Sequence, residues 1–181
     1  MRIIDIHAHY GEWFFPIYTS SKKSIVEMMN HHGIETVILS SSKAITYDMV
    51  EGNMDLSMIL DSNKGLYGYV YVNPNYPEVS KAEVEKYLAN PLFKGVGEIH
   101  PDYSGVPVDS EESISVLKEA AEYRKPFLIH TYSLENVKAL VELVKKFPDN
   151  VFIAGHMGGT VASGTGLSWR KAINAAKEYS N

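Results

Sequence analysis

Asp5-Ile6-His7-Ala8-His9 ends the short apolar run that opens the chain. Side chains on a strand alternate between faces, so His7 and His9 point the same way in an extended segment. Two neutral imidazoles at that spacing suit zinc or a similar divalent ion. An isolated His-x-His is as easily an exposed turn, and what distinguishes this one is its repetition downstream. Glu98 and His100 end Gly95-Val96-Gly97-Glu98-Ile99-His100, His130 ends Phe127-Leu128-Ile129-His130, and His156 follows Ile153-Ala154-Gly155. Five of the seven histidines thus sit where a β-rich run gives way to a loop.

Working outward, the apolar runs are Ile3–Ile6, Thr36–Ser40, Leu66–Val72, Gly95–Ile99, Pro126–His130 and Val151–Ala154. They are rich in Val, Ile, Tyr and Phe, and most lack strict alternation, as buried parallel strands do. Helical patterns lie between them. Ile25, Met28 and Met29 mark one stripe that stops at His31-His32-Gly33, where Gly33 suits a left-handed cap. Ser80 with Glu83, and Asp109 with Glu112, resemble capping boxes. Ser133 precedes the stripe Leu134, Val137, Leu140, Val141 and Val144, and Trp169, Ala172, Ile173 and Ala176 form the last. Met49–Leu60 is ambiguous because Gly52 interrupts it. Strands alternating with helices predict a parallel sheet. About six β/α units are expected, whereas a closed barrel of eight needs about 250 residues. The expected fold is therefore α/β, a TIM-barrel-type (β/α)8 arrangement that is incomplete, in a single domain over residues 1–181.

Composition narrows the function. The 181 residues are 45% hydrophobic and 22% charged, which excludes disorder over most of the chain. No run approaches the roughly 20 apolar residues of a membrane span. The opening residues lack the features of a signal peptide, so a cytoplasmic protein with no membrane partner is expected. The absence of cysteine removes disulfides, thiolate metal sites and a cysteine nucleophile. A net charge of -5 without a basic cluster disfavours nucleic acid as a partner and favours a small molecule.

The candidate residues divide by role. His7, His9 and His130 are expected to bind metal. Glu98 is a metal ligand or general base, and His156 a ligand or proton-transfer residue, with Gly158-Gly159 leaving room for close backbone approach. His100 and Tyr103 are candidate substrate contacts. Trp13, in Trp13-Phe14-Phe15-Pro16, is a candidate wall of a substrate pocket, and Asn73-Pro74 a further lining. His31 and His32 read as solvated residues at a helix end.

Taken together, DIHAHYG, GYVYVNPNYPE, KGVGEIHP, PFLIHT and NVFIAGHMGG resemble the amidohydrolase superfamily. The likeness is to the amidohydrolase-related branch that includes aminocarboxymuconate semialdehyde decarboxylase. It covers nearly the whole chain. It implies a (β/α)8 barrel in which His7, His9 and His130 bind a divalent metal. Zinc is expected, one ion or two, with manganese or iron as alternatives. It makes His156 an acid/base residue or second-metal ligand, and it places Glu98 where binuclear members carry a carboxylated lysine or a glutamate, so a second metal is possible. It implies hydrolysis of a small amide, ester or lactone by metal-activated water. The alternatives are decarboxylation, a nuclease of the TatD type, or a truncated inactive relative. The sequence departs from the family in one respect: no aspartate follows Asp149, whereas the family takes an essential one from its eighth strand. A sheet of six parallel strands leaves two open edges, which predicts a homo-oligomer.

Overall fold

Each apolar run forms a strand, and each strand is followed by at least one helix. A computed structural model describes residues 2–16, 21–159, 167–179 and 181. The strands are β1 (Ile3–Tyr10), β2 (Ile34–Ser41), β3 (Leu66–Val70), β4 (Phe93–Ile99), β5 (Phe127–Ile129) and β6 (Phe152–Ala154). The helices are α1 (Lys22–His32), α2 (Ser42–Thr46), α3 (Met49–Ile59), α4 (Pro77–Leu88), α5 (Pro101–Ser104), α6 (Glu111–Ala121), α7 (Leu134–Lys146) and α8 (Leu167–Glu178). All neighbouring strands pair in parallel, in the order β1-β2-β3-β4-β5-β6. Sequential order with helical crossovers is the topology of a barrel wall, here an incomplete one.

The sheet has an outer, helix-facing surface and an inner one. Val37 and Leu39 of β2, Leu66 and Val70 of β3, and Phe93 and Val96 of β4 join the main core with Val84 and Leu88 of α4 and Val116 and Leu117 of α6. β3 shows how the inner surface is set. Its register places Tyr69 opposite Gly95, and a side chain at Gly95 would meet the Tyr69 ring at 3.2 Å and the Pro126 carbonyl at 2.2 Å. The absence of a side chain at Gly95 thus leaves space for an aromatic ring inside. The Tyr69 hydroxyl donates to the carbonyl of Ile6 at 3.0 Å. A contact from β3 to β1 past β2 requires the sheet to curl.

Two strands carry an irregularity where the function is expected. Between Asp5 and Ala8, β1 advances three residues while β2 advances two, from Val37 to Leu39. Between Val96 and Ile99, β4 does the same against Phe127 to Ile129 of β5. Such bulges re-aim side chains, and His7 and Glu98 lie within them.

Local chemistry explains the helix boundaries. Ser21, Asp48 and Ser133 accept from the backbone N–H three residues on, and Gly33 closes α1 at φ 67°. Two sequence expectations shift. α4 begins at Pro77, whose fixed φ suits a first helical position. Ser80 lies inside it, its hydroxyl bonding to the backbone of Asn73, while Glu83 accepts from Asn53 Nδ2 at 3.0 Å. α6 is capped by Ser110 rather than Asp109. The ambiguous stretch around Gly52 is helical. Gly52 packs against α2, where an added Cβ would lie 2.2 Å from the backbone nitrogen of Ala44.

That contact yields a prediction. Gly52→Ala is expected to lower stability by about 1–3 kcal/mol through overpacking, despite alanine's better helix propensity. Urea denaturation of the two chains checks it, and an unchanged midpoint would refute the close approach of α2 and α3.

Candidate metal centre

The site is built where four strands end. His7 and His9 come from β1, Glu98 from β4, His130 from the residue after β5, and His156 from the turn after β6. Glu98 is the centre of the group. Its Oε1 lies 2.7 Å from His130 Nδ1, 3.1 Å from His156 Nε2 and 3.3 Å from His7 Nε2. Its Oε2 lies 3.5 Å from His9 Nε2. His156 Nε2 is also 3.1 Å from His130 Nδ1. Two ligand groups share the carboxylate, one formed by His7, His9 and Glu98, the other by Glu98, His130 and His156.

Backbone features hold this geometry. Gly97 has φ 151°, and a Cβ there would meet Leu128 at 2.7 Å, so the approach of β4 to β5 needs glycine. A Cβ on Gly155 would lie 3.3 Å from Glu98 Oε1 and 2.9 Å from the Ile129 carbonyl. His156 and Met157 both adopt left-handed backbone, at φ 55° and 53°. Left-handed conformations at non-glycine residues carry strain that the surrounding structure must over-determine. Here they turn the His156 ring toward Glu98.

The electrostatics follow from burial. Glu98 is 1% exposed. Burial alone pushes its carboxyl pKa up, but hydrogen bonding from His130 and His156, with His7 close by, outweighs this and holds it well below the usual carboxylate range. Burial lowers the pKa of His9 to about 4, so its imidazole is neutral at pH 7. His100 is lowered to about 4 by burial and by the neighbouring His130. The hydrogen bond to Glu98 raises His156.

The group meets the requirements of a divalent cation. Both ring nitrogens of His7 and Nδ1 of His9 are buried without hydrogen-bond partners among the described residues. Buried polar atoms are seldom left so, and an ion accounts for such atoms. Neutral imidazoles and an ionised carboxylate are the protonation states that bind metal. Nitrogen and oxygen donors without thiolate suit zinc, manganese or iron.

The other expected residues surround this centre. The Trp13 ring lies 4.9 Å from that of His9, stacks on Phe15 at 5.6 Å and approaches Tyr103 at 6.3 Å. Tyr103 packs edge-on to His100 at 4.4 Å. His100 does not contact Glu98; it stacks on His130 at 3.6 Å. Trp13, Phe15 and Tyr103 thus form an aromatic flank on the His9 side. Asn73 uses its side-chain oxygen on Asn75, and His31 and His32 are exposed.

Sequence reasoning passed over Tyr71, Asp102 and Tyr132. Tyr71 packs with Ala44, Ile45, Met49 and Trp13, and Asn53 bonds both its backbone N–H and its carbonyl. Burial, then the Glu98 charge, raises the Tyr71 phenol pKa strongly. The alternation Tyr67, Tyr69, Tyr71 was the available signal. Asp102 lies 3.5 Å from His130 Nε2, and the Tyr132 ring stacks at 5.8 Å on His130. Each stands two residues beyond a histidine already singled out.

Comparison with known proteins bears on this arrangement. The chain matches the family model described as Amidohydrolase over residues 4–181. No curated protein matches it. Among solved structures, it resembles 5-carboxyvanillate decarboxylase from Novosphingobium aromaticivorans, complexed with manganese and 4-hydroxy-3-methoxy-5-nitrobenzoic acid. The TM-score is 0.66 at 15% identity, over 87% of this chain and 65% of that one. It also resembles 2,6-dihydroxybenzoate decarboxylase from Rhizobium, with TM-score 0.67 and 16% identity over 87% and 67% of the two chains. A third is a probable 2-pyrone-4,6-dicarboxylic acid hydrolase from Acinetobacter baumannii, with TM-score 0.63 and 13% identity over 97% and 66%. At these identities the likeness is one of fold, an incomplete TIM barrel. This chain covers about two thirds of the length of each. No described helix is long and apolar enough to cross a membrane.

A pH dependence follows. His9 and His100 have folded pKa values near 4 against 6.5 for the free side chain. Between those values the unfolded chain binds more protons, so the metal-free protein loses stability as pH falls from 6.5 toward 4. His156, raised in the fold, contributes in the opposite direction above pH 6.5. Urea midpoints at pH 7, 5.5 and 4.5 should fall in that order, and less steeply in His100→Asn. Identical slopes in the two chains would remove His100 from the account.

Proposed function

We propose, from the premise that this chain belongs to the amidohydrolase family, that it carries the metal centre of an enzyme hydrolysing a small molecule at a carbonyl group. The single observation that carries this reading is Glu98, a buried carboxylate shared between two groups of imidazoles. A divalent cation bound there would supply Lewis-acid activation of water and of the substrate carbonyl. His7 and His9 of β1, Glu98 of β4 and His130 after β5 would hold it. Zinc, manganese and iron all fit these donors, and the manganese in the 5-carboxyvanillate decarboxylase structure makes that ion a necessary member of any test.

The remaining chemistry belongs to the chain's own groups. Ionised Glu98 accepts a proton or shares its oxygens with a cation. His156 is more open than the rest, with 32% of its side chain exposed, and its hydrogen bond to Glu98 shifts its pKa upward, in the direction that favours holding a proton. With one cation per chain, His156 passes that proton to the leaving group. With two, it serves as a ligand and solvent supplies the proton. Trp13, Phe15 and Tyr103 bound the substrate on the His9 side, and His100 contributes a neutral polar edge.

Decarboxylation is the second reading. The aromatic flank suits a planar ring, and two of the related structures are decarboxylases of aromatic acids. The open edges favour association with a second copy, since Ile4 and Ile6 of β1 and Val151 before β6 are exposed. A mass that stays at one chain across concentrations in analytical ultracentrifugation would exclude it.

Metal content per chain, measured after purification without chelator, is expected to be one or two. His7→Ala with His9→Ala should lose metal by more than the roughly 10–100-fold that removing an outer partner costs. Any turnover of lactones, esters or carboxylated aromatic rings should vanish with it. Product analysis separates the readings, because decarboxylation releases carbon dioxide and hydrolysis does not. Metal and turnover retained in the double variant would overturn the proposal.

A further inference from the structure

His130 is constrained more completely than any other histidine of the centre. Its ring stacks on that of His100 at 3.6 Å with 20° between planes and on that of Tyr132 at 5.8 Å with 16°. Its two ring nitrogens each face a carboxylate. Glu98 Oε1 lies 2.7 Å from Nδ1 and Asp102 Oδ2 lies 3.5 Å from Nε2. Asp102 is itself held, because Asn136 Nδ2 on α7 donates to its other oxygen at 3.2 Å. A chain of contacts therefore runs from α7 through α5 to the metal centre.

We infer that Asp102 is a positioning residue for the metal centre, acting through Nε2 of His130. The inference rests on the metal-binding reading above. A metal-ligating histidine that uses one ring nitrogen generally donates its other N–H to a carboxylate, carbonyl or water, which sets its tautomer and raises its basicity. Without a metal, Nδ1 of His130 faces Glu98 at 2.7 Å and donates to it; with a cation bound, Nδ1 would become the ligand and the proton would move to Nε2, on the Asp102 side.

A competing role is that Asp102 is itself a ligand, since His100, Asp102 and His130 also form a cluster of metal-binding type. Ring geometry opposes it. A cation lies in the plane of each imidazole it binds, at about 2.0–2.1 Å from nitrogen for zinc. Two nearly parallel rings stacked 3.6 Å apart cannot both hold one ion in plane. His100 is a wall for His130.

Zinc affinity and stoichiometry, by competition with a chromophoric chelator, test the inference on the whole chain. Asp102→Ala is expected to weaken zinc binding roughly 10–100-fold at unchanged stoichiometry. Asp102→Asn, which keeps an acceptor oxygen, should fall between it and the parent chain. Thermal unfolding of the metal-free variants should stay close to the parent. The imidazole 1H–15N spectrum of the zinc-loaded parent should show His130 protonated on Nε2, and that resonance should shift in Asp102→Ala. Equal affinities in all three chains overturn the inference while leaving the metal centre standing. Loss of one zinc equivalent, with the remaining affinity unchanged, overturns it in favour of Asp102 as a ligand. Failure of the parent chain to bind zinc or manganese overturns both readings.

Discussion

A carboxylate that is 1% exposed sits among four imidazoles, and most other features of the site answer to it. A buried charge costs several kcal/mol unless paired and hydrogen-bonded. Glu98 is paired on both oxygens, so it can stay ionised where burial alone would protonate it. His9 faces the reverse problem, since burial strips its proton, and ring nitrogens of His7 and His9 are left without hydrogen-bond partners. A charged carboxylate beside unpartnered ring nitrogens leaves negative charge and unused lone pairs at one point. A divalent cation satisfies both.

Bringing these groups to one point requires departures from regular sheet structure. The extra residues in β1 and β4 fall at His7 and Glu98. Glycine at 97 and 155 allows main-chain approaches that any side chain would block. His156 reaches Glu98 from left-handed backbone. The sheet shifts register elsewhere too, between Ile3 and Ile4 and between Gly68 and Tyr69, but the shifts at His7 and Glu98 are the ones that re-aim side chains toward the site.

The parallel architecture was legible in the sequence because buried strands and amphipathic helices have different periods, and the residues gathered around Glu98 because histidines recur at strand ends. The site's packing was not. Whether His100 points at Glu98 or stacks on His130 depends on the path taken by the chain after Ile99, where α5 begins two residues on. Asp102 has half its side chain in solvent and carries no local mark of function; only the folded contact with His130 gives it one. Tyr71 was hidden differently. β3 alternates its tyrosines inward, a pattern obscured by reading the run as continuously apolar. Ser80 looked like a cap because capping boxes are defined locally, whereas its hydroxyl is used by a loop that the sequence pattern does not mark.

The centre also supplies a connection that the sheet lacks. β1 and β6 are not paired with each other, yet the ring of His7 lies 5.1 Å from that of His156, and both contact Glu98 on β4. The first and last strands of an open sheet therefore meet through side chains at one end only. At the other end, Ile3 and Ile4 of β1 remain exposed. A cation bound among these residues would join β1, β4, β5 and β6 in a single set of bonds. Ligands that bind only the folded chain stabilise it by mass action. In this protein that stabilisation would act where the backbone ladder is interrupted, so metal binding and retention of the curled sheet are expected to be coupled.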